Sequence, residues 1–488
     1  MKTLQLFDFA SFTKKRACKI LNVRLEVIVI AGKQPASEYS RNLQSLLESR
    51  HLLKSELPFP DDVIDWHIQK GLIKEETTKG FVCKRCGQDH QALFARYPCY
   101  ACNQQCVYCR SCVMMGRVSE CTPLLTWKGG DQSKWPPVRM VWEGILSAGQ
   151  EKAARSIIEA IRKKEELLIW AVCGSGKTEI LFQGIEFALN HGLRVCIATP
   201  RTDVVLELAP RVKKAFEGAE IAALYGGSPD RGMLSPLMIS TTHQLFRYKE
   251  AFDVMVVDEV DAFPYSYDQT LQYAVEKAGK RQSARIYLTA TPSREMKKRA
   301  ESGRLKAAHI PARYHRSPMP EPSFTWCGNW KKSLKCHIIP LAVKRWLFKH
   351  KEQKQPVFLF VPSIPALKSV VTLLKKEHFQ IEGVYADDPD RNEKVKRFRD
   401  GTLDILVTTT ILERGVTVQK AQVGVLGAES AVFDESALVQ ISGRAGRHPQ
   451  YTTGDVRFFH FGKTANMVAA RRHIRRMNKM ALLENLVD

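Results

Sequence analysis

The run Ala171-Val-Cys-Gly174-Ser175-Gly176-Lys177-Thr178 holds the residue types a phosphate-binding loop needs. It follows an apolar run that reads as a buried strand and precedes a helical pattern. Glycines let such a loop curl until consecutive amides point at phosphate oxygens. The amino end of the next helix adds partial positive charge. Lys177 can then reach the β- and γ-phosphates of ATP, and the Thr178 hydroxyl can ligate Mg2+. Ala171 stands where the motif usually has glycine, a mild departure. The competing reading is a turn that merely caps a helix. Lys-Thr in register after a strand argues against it. Cys173, inside the loop, reads as a buried inert thiol in preference to an oxidation sensor.

Further on, Asp258 and Glu259 end another apolar strand. Parallel strands end on one side of their sheet, so both carboxylates would face the phosphate loop. Asp258 would then bind magnesium, directly or through the outer shell, and Glu259 would orient and activate the attacking water. Near the carboxyl end lies Gln440-Ile-Ser-Gly443-Arg444-Ala-Gly446-Arg447. Two arginines three apart project to one side of a helical turn. There they can neutralise charge growing on the γ-phosphate. A basic surface helix is the plainer reading, but the glycines speak against it.

Eight of the thirteen cysteines crowd between Cys83 and Cys121. In a reducing compartment such crowding suggests metal in preference to disulfides. Cys83 and Cys86, followed by Gly87, form a knuckle that can close round Zn2+. Its partner is ambiguous on spacing alone: Cys99/Cys102, Cys106/Cys109 and Cys109/Cys112 all fit. Lys84, Arg85 and Arg110 lie within the knuckles, where they read equally as DNA contacts or as solvated charges.

These residues need elements to position them. Apolar runs at 167–172, 194–200, 237–242, 254–259 and 284–291 alternate with helix-compatible sequence, the rhythm of a parallel α/β domain. A proline-rich stretch, 311–322, interrupts it. The rhythm resumes at 356–363, 381–386, 404–410, 423–430 and 455–461. The expected fold is α/β, with two parallel-sheet domains in tandem preceded by a small four-cysteine zinc module. Expected boundaries are 1–60 for an amino-terminal extension and helix and 61–128 for the zinc module. The two sheet domains follow at 138–312 and 320–488. The apolar spacing predicts one helix over Arg41 to Leu57, ending at Pro58, and a second over Asp62 to Lys70. A basic helix at 470–480 suits DNA, an anionic membrane surface, a partner or plain solvent.

Lysine and arginine outnumber acids 74 to 51, a net +23, which favours a polyanionic partner. With 44% hydrophobic and 26% charged residues, the composition excludes a mainly disordered chain. No run approaches the roughly 20 apolar residues of a membrane span, so a cytoplasmic protein is expected.

In chain order the motifs of residues 140–462 resemble those of superfamily-two helicases and translocases, which implies that the two tandem parallel-sheet domains are RecA-like motor domains. Gln150 resembles the adenine-reading glutamine. Thr199-Pro200-Arg201 and Ser240-Thr241-Thr242 resemble strand-binding motifs. Asp258-Glu259-Val260-Asp261 is similar to the DExD box, and Thr289-Ala290-Thr291 to the coupling motif. Thr408-Thr409-Thr410 with Arg414-Gly415 resembles the motif touching both nucleic acid and nucleotide, although Val-Thr follows where many helicases place an acid. Gln440 to Arg447 resembles the final arginine motif.

A narrower resemblance, from about Ser37 to Gly462, is to the ComFA-type competence ATPases. SRHLLKSELPFPD, YCRSCVMMGRVSE, WAVCGSGKTE, ATPRTDVVLELAPR, DEVDAFPYS and TTTILERGVTV carry it. The first 36 residues do not match. The resemblance implies an ATP-driven, DNA-stimulated translocase drawing single-stranded DNA into the cytoplasm during transformation. It implies DNA contacts at Thr199, Pro200, Arg201, Thr241, Thr242, Thr409 and Arg414, and a catalytic part for Gln440. It selects Cys109 and Cys112 as the second zinc knuckle, with 22 residues between Cys86 and Cys109. Cys99, Cys102 and Cys106 are left to supply a second ion, to substitute in the first, or to stay free. Other competence DNA-uptake and DNA-processing proteins are the implied partners, with peripheral attachment to the membrane uptake channel and homo-oligomerisation as further expectations. The rivals are a PriA-like replication-restart helicase, whose cysteine region lies within the motor, and a non-enzymatic zinc-containing DNA scaffold. RNA helicases rank lower, because the box ends Val260-Asp261 and the last motif begins with Gln440.

Overall fold

The apolar runs become strands of two parallel sheets in the computed structural model of the chain, which describes residues 39–78, 80–129, 135–413 and 418–487. The described part begins with the helix Arg41–Leu47, capped by Ser40, whose hydroxyl accepts from the Leu43 amide at 3.3 Å. The longer helix expected to Leu57 does not form. Ser49 takes φ +59°, and the chain turns into a short strand, β1 (Leu52–Leu53). Pairing with Leu125 and Leu124 buries both leucines, so tertiary burial overrides the helical period. The second expected helix is present as Asp61–Gln69.

Strands β2 (Ile73–Glu76), β3 (Phe94–Cys99), β4 (Gln104–Cys109) and β5 (Leu124–Trp127) follow. β1, β5 and β2 make an antiparallel sheet in that order, while β3 and β4 form a separate hairpin. Because β1 pairs with β5, residues 41–57 fold together with 61–127, and a boundary at 60 runs through their common sheet.

The next block holds β6 (Arg139–Met140), β7 (Glu166–Ala171), β8 (Val195–Thr199), β9 (Phe216–Glu217), β10 (Ile221–Leu224), β11 (Leu237–Thr241), β12 (Phe252–Asp258), β13 (Gly279–Thr289) and β14 (Lys306–Ile310). Seven of them form a parallel sheet ordered β10-β11-β8-β12-β13-β7-β14, and β6 pairs with β9 beside it. The second lobe contains β15 (Ser323–Trp326), β16 (Val357–Phe360), β17 (Ile381–Val384), β18 (Ile405–Thr408), β19 (Gln422–Leu426) and β20 (Val456–His460). They form a parallel sheet ordered β15-β20-β19-β16-β18-β17. All ten expected strands are present. β10, β14 and β15, each only four or five residues long, are additional in these two sheets.

Both lobes contribute to one apolar cluster, with Trp170, Val172 and Cys173 from the first and Leu438, Ile441 and Ala445 from the second. The basic carboxyl-terminal segment lies in the helix Ala465–Leu483. That helix buries Met467, Ala470, Ile474 and Met477 and leaves Arg472, Arg475, Arg476 and Lys479 exposed. Among the described residues no helix is long and apolar enough to cross a membrane.

Candidate nucleotide cleft and metal centre

β12, β13 and β7 are neighbours and end on the same side. Their carboxyl ends therefore set the acidic box, Thr289–Thr291 and the phosphate loop side by side. The loop turns at Gly174 and Gly176, with φ +81° and +71°, before the helix Glu179–Asn190. Gln150 starts its own helix in a capping box with Ser147 and donates from Nε2 to the Ser175 carbonyl at 2.8 Å. The Ser175 hydroxyl is buried without a hydrogen-bond partner among the described residues, Lys177 is half-buried, and Thr178 begins the helix. Glu259 holds φ +57°, a conformation that costs energy for a side chain and collects at functional sites. Asp258 accepts the Glu259 amide at 2.9 Å.

The arginine motif of the second lobe closes directly on this loop. The Cys173 thiol donates to Gln440 Oε1 at 2.9 Å. A Cβ on Gly443 would stand 2.5 Å from Cys173 Cβ, so only glycine permits this approach. Arg444 is fully buried, and burial together with neighbouring Arg447 pushes its guanidinium well below the usual range. Arg447 is half-buried and donates from Nε to the Gly443 carbonyl at 2.9 Å. A third guanidinium, Arg313, donates to the carbonyls of Gly446 and, at 3.4 Å, of Gly443. Burial, then Arg447, pushes it down to about 10. Buried like charges disfavour one another unless an anion shares them. A cleft with converging guanidiniums, a curled glycine loop and a buried unpartnered hydroxyl therefore fits a triphosphate. Thr178 and Asp258 fit its Mg2+, a hard ion served by oxygen ligands.

Asp261 joins the two lobes. Its carboxylate accepts from Thr289 Oγ1 at 2.7 Å, Thr291 Oγ1 at 2.6 Å and, across the lobes, Ser436 Oγ at 2.8 Å. Gln440 Nε2 approaches the same carboxylate at 3.4 Å. An amide at this position offers donors where acceptors are required. Asp261→Asn should lower ATP turnover at least about tenfold, as expected for lost bonds to a charged group. Nucleotide affinity, read by fluorescence of a bound analogue, should hold. Lys297 meets Glu435 across the same junction at 3.2 Å, and His473, then Lys297, holds that carboxyl down to about 2.

Of the residues expected to touch DNA, Thr199 to Arg201 and Thr241 to Thr242 lie at the ends of the parallel neighbours β8 and β11, on one side of the first sheet. Thr199, Pro200, Thr241 and Thr242 are buried, and the Thr199 and Thr242 hydroxyls have no hydrogen-bond partner among the described residues. Arg201 pairs with Asp203 at 2.6 Å and donates to the Ile411 carbonyl at 3.2 Å. Arg391 reaches the same Asp203 at 3.5 Å from the second lobe. Thr409 is half-buried. Arg414 and Gly415 lie outside the described residues.

Cys83, Cys86, Cys109 and Cys112 come together as four buried thiols, with Cys83–Cys112 sulfurs 3.7 Å apart and Cys86–Cys109 sulfurs 3.6 Å apart. Of the three spacings open in the sequence, the fold brings Cys109/Cys112 to the first knuckle. Hydrogen bonds from Cys112, Cys83 and Cys86 push the Cys109 thiol far down, and the Cys109 thiolate pushes Cys112 far up. Four soft donors at nearly tetrahedral separations fit a closed, structural Zn2+ site. Cys83→Ala should lower bound zinc by about one ion per chain and lower the melting temperature; elemental analysis beside a thermal scan checks both.

Arg85 is not available to DNA. It is fully buried and donates to the carbonyls of Met115 at 2.9 Å and Gly116 at 2.8 Å and to Glu56 at 3.1 Å. Glu56 also receives Arg247 at 2.9 Å, and Lys277 donates to the Arg85 carbonyl at 2.9 Å. The ring of Tyr273 lies where a Cβ on Gly87 would be, 2.5 Å away, so the knuckle seats on the helix Gln269–Ala278. Arg313 and Ser436 carried no local signal in the sequence; only the approach of the two lobes reveals them.

Three family models match successive parts of the chain: the competence protein ComFA N-terminal domain at residues 34–126, the type III restriction enzyme res subunit at 144–294, and the helicase conserved C-terminal domain at 337–449. The chain is 60% identical over 457 residues to competence protein ComFA of Bacillus subtilis, covering 93% of this chain and 98% of that one. Identity to competence protein ComFA of Streptococcus pneumoniae is 38% over 376 residues, covering 77% and 86%. Replication restart protein PriA of Bacillus subtilis is 25% identical over 195 residues, covering 36% of this chain and 24% of that one.

Proposed function

The chain belongs to the ComFA family of competence proteins, and on that premise we propose that it is an ATP-driven, DNA-stimulated translocase that draws single-stranded DNA into the cytoplasm during transformation. Its helicase-type domains are those of a superfamily-two ATPase. One observation carries the reading: Gln440 and Gly443 of the second lobe touch Cys173 in the phosphate loop of the first. A nucleotide held there is sensed by both lobes at once.

Lys177 and the loop amides hold the phosphates, and Gln150 reads the base edge. Mg2+, held by Thr178 and Asp258, supplies charge neutralisation on the β- and γ-phosphates. Glu259 orients water toward the γ-phosphate, and Arg444 and Arg447 stabilise the charge that develops on it. ATP favours the closed cleft and hydrolysis releases it. Asp261 passes that change to Thr289 and Thr291. Thr199, Pro200, Arg201, Thr241, Thr242, Thr409 and Arg414 grip the phosphate backbone alternately, with little base readout. The zinc module is a structural head on the first lobe. Competence DNA-uptake proteins at the inner face of the membrane channel are its partners.

The replication-restart reading has less support, because likeness to PriA covers about a third of the chain. Phosphate release by the metal-loaded protein, measured with single-stranded DNA, duplex DNA and RNA, tests the proposal. Strong stimulation by single strands is expected. Absence of turnover under every condition would leave only a DNA-binding scaffold.

A further inference from the structure

Four other cysteines converge at the far end of the β3–β4 hairpin. The sulfurs of Cys99, Cys102, Cys106 and Cys121 all lie within 4.8 Å of one another. Cys102 and Cys106 are 3.3 Å apart, as are Cys106 and Cys121. We propose that these four thiols form a second, separate zinc centre, so that each chain carries two ions.

The register explains why the two thiol groups stay apart. Cys99 pairs with Gln104, and Tyr97 pairs with Cys106, which puts Cys99 and Cys106 on one face of the hairpin. Cys109 pairs with Phe94. It stands three residues from Cys106, an odd step that directs its side chain to the opposite face. One hairpin therefore serves a different centre on each side, and no ligand is shared.

The local turns are built to present sulfur. Just beyond Cys102 the chain reverses through Asn103 at φ +52°, which brings Cys106 on β4 back alongside β3. Cys121 lies in the tight turn closed by Ser119 and Thr122, whose mutual amide–carbonyl bonds measure 3.5 and 3.3 Å. That turn is laid beside β4 by the bridge between Tyr108 and Ser119. Nothing in the sequence spacing joins Cys121 to the others; the bridge does.

Separations and chemistry both favour one enclosed ion. A tetrahedron with Zn–S bonds of about 2.3 Å has sulfurs about 3.8 Å apart. A disulfide would need about 2.05 Å. Two separations here are 3.3 Å and none exceeds 4.8 Å, close to the first value and far from the second. Four thiolates suit a soft or borderline ion such as Zn2+ and disfavour Mg2+ or Ca2+. The hairpin and its return segment bury a small apolar core, Phe94, Val107 and Val118. Small units of this kind are commonly stapled by metal.

The test uses the full-length chain, purified under reductant, with zinc counted by elemental mass spectrometry. Two ions per chain are expected, falling to one in Cys121→Ser and to one in Cys106→Ser. A single ion in the parent chain that persists in Cys121→Ser would overturn the second centre. So would a disulfide among these four cysteines, found by alkylation and peptide mass, or an iron–sulfur absorption band in place of zinc. Should the variants fail to fold, Co2+ titration of the metal-stripped parent chain decides. Thiolate-to-cobalt absorption rising to two equivalents supports the proposal, and saturation at one equivalent refutes it.

Discussion

Arg444→Ala should lower ATP turnover about a thousandfold while the protein still binds nucleotide, the loss expected when a charge-stabilising arginine is removed from phosphoryl transfer. The residue is fully buried between the lobes, donates to the Glu413 carbonyl at 2.9 Å, and has Glu259 among its charged neighbours. A guanidinium so placed is costly to desolvate, and a developing phosphate charge offsets that cost in the transition state. Arg444→Lys separates charge from shape. It keeps a cation but not the planar fork, and should recover little of the lost rate. Single-turnover phosphate release, with affinity for a fluorescent ATP analogue measured in parallel, checks the division. Equal losses in affinity and rate would show that the residue only holds the ground state.

Lys177→Ala should reduce turnover by a comparable factor, about a hundred- to a thousandfold, because it removes a charged clamp on the transferring group. Here ATP affinity should fall too, since Lys177 belongs to the loop that cradles the phosphates before any chemistry. Binding of single-stranded DNA should remain within about twofold of the parent, as the expected strand contacts lie on other loops. Anisotropy of a labelled oligonucleotide together with the ATPase assay makes the comparison. Retained turnover would refute the phosphate-loop assignment.

The parts of this cleft that were legible in the sequence are those whose chemistry demands fixed local spacing. Gly174 to Thr178 must be contiguous to wrap phosphate, and Asp258 must end a strand. Cys83 and Cys86 must be a turn apart. What escaped depends on distant contacts. Arg313 is one arginine in a proline-rich connector until Gly443 and Gly446 are laid against it. Ser436 has no motif of its own, yet it reaches Asp261 from the other lobe. Cys121 has no partner at knuckle spacing. Leu52 and Leu53 continued a helical period but were claimed by β5. Arg85, in a basic knuckle that reads as a nucleic-acid contact, is spent on Met115, Gly116 and Glu56.

That last arrangement sets a mechanical asymmetry. Arg85, Glu56 and Arg247 link the metal knuckle to the turn just after Thr242, and Tyr273 fills the space beside Gly87. The cysteine-bearing head is thus bolted to the first lobe. In the proposed translocase, a partner docked on the head would brace the stator and leave the opposite lobe as the oar.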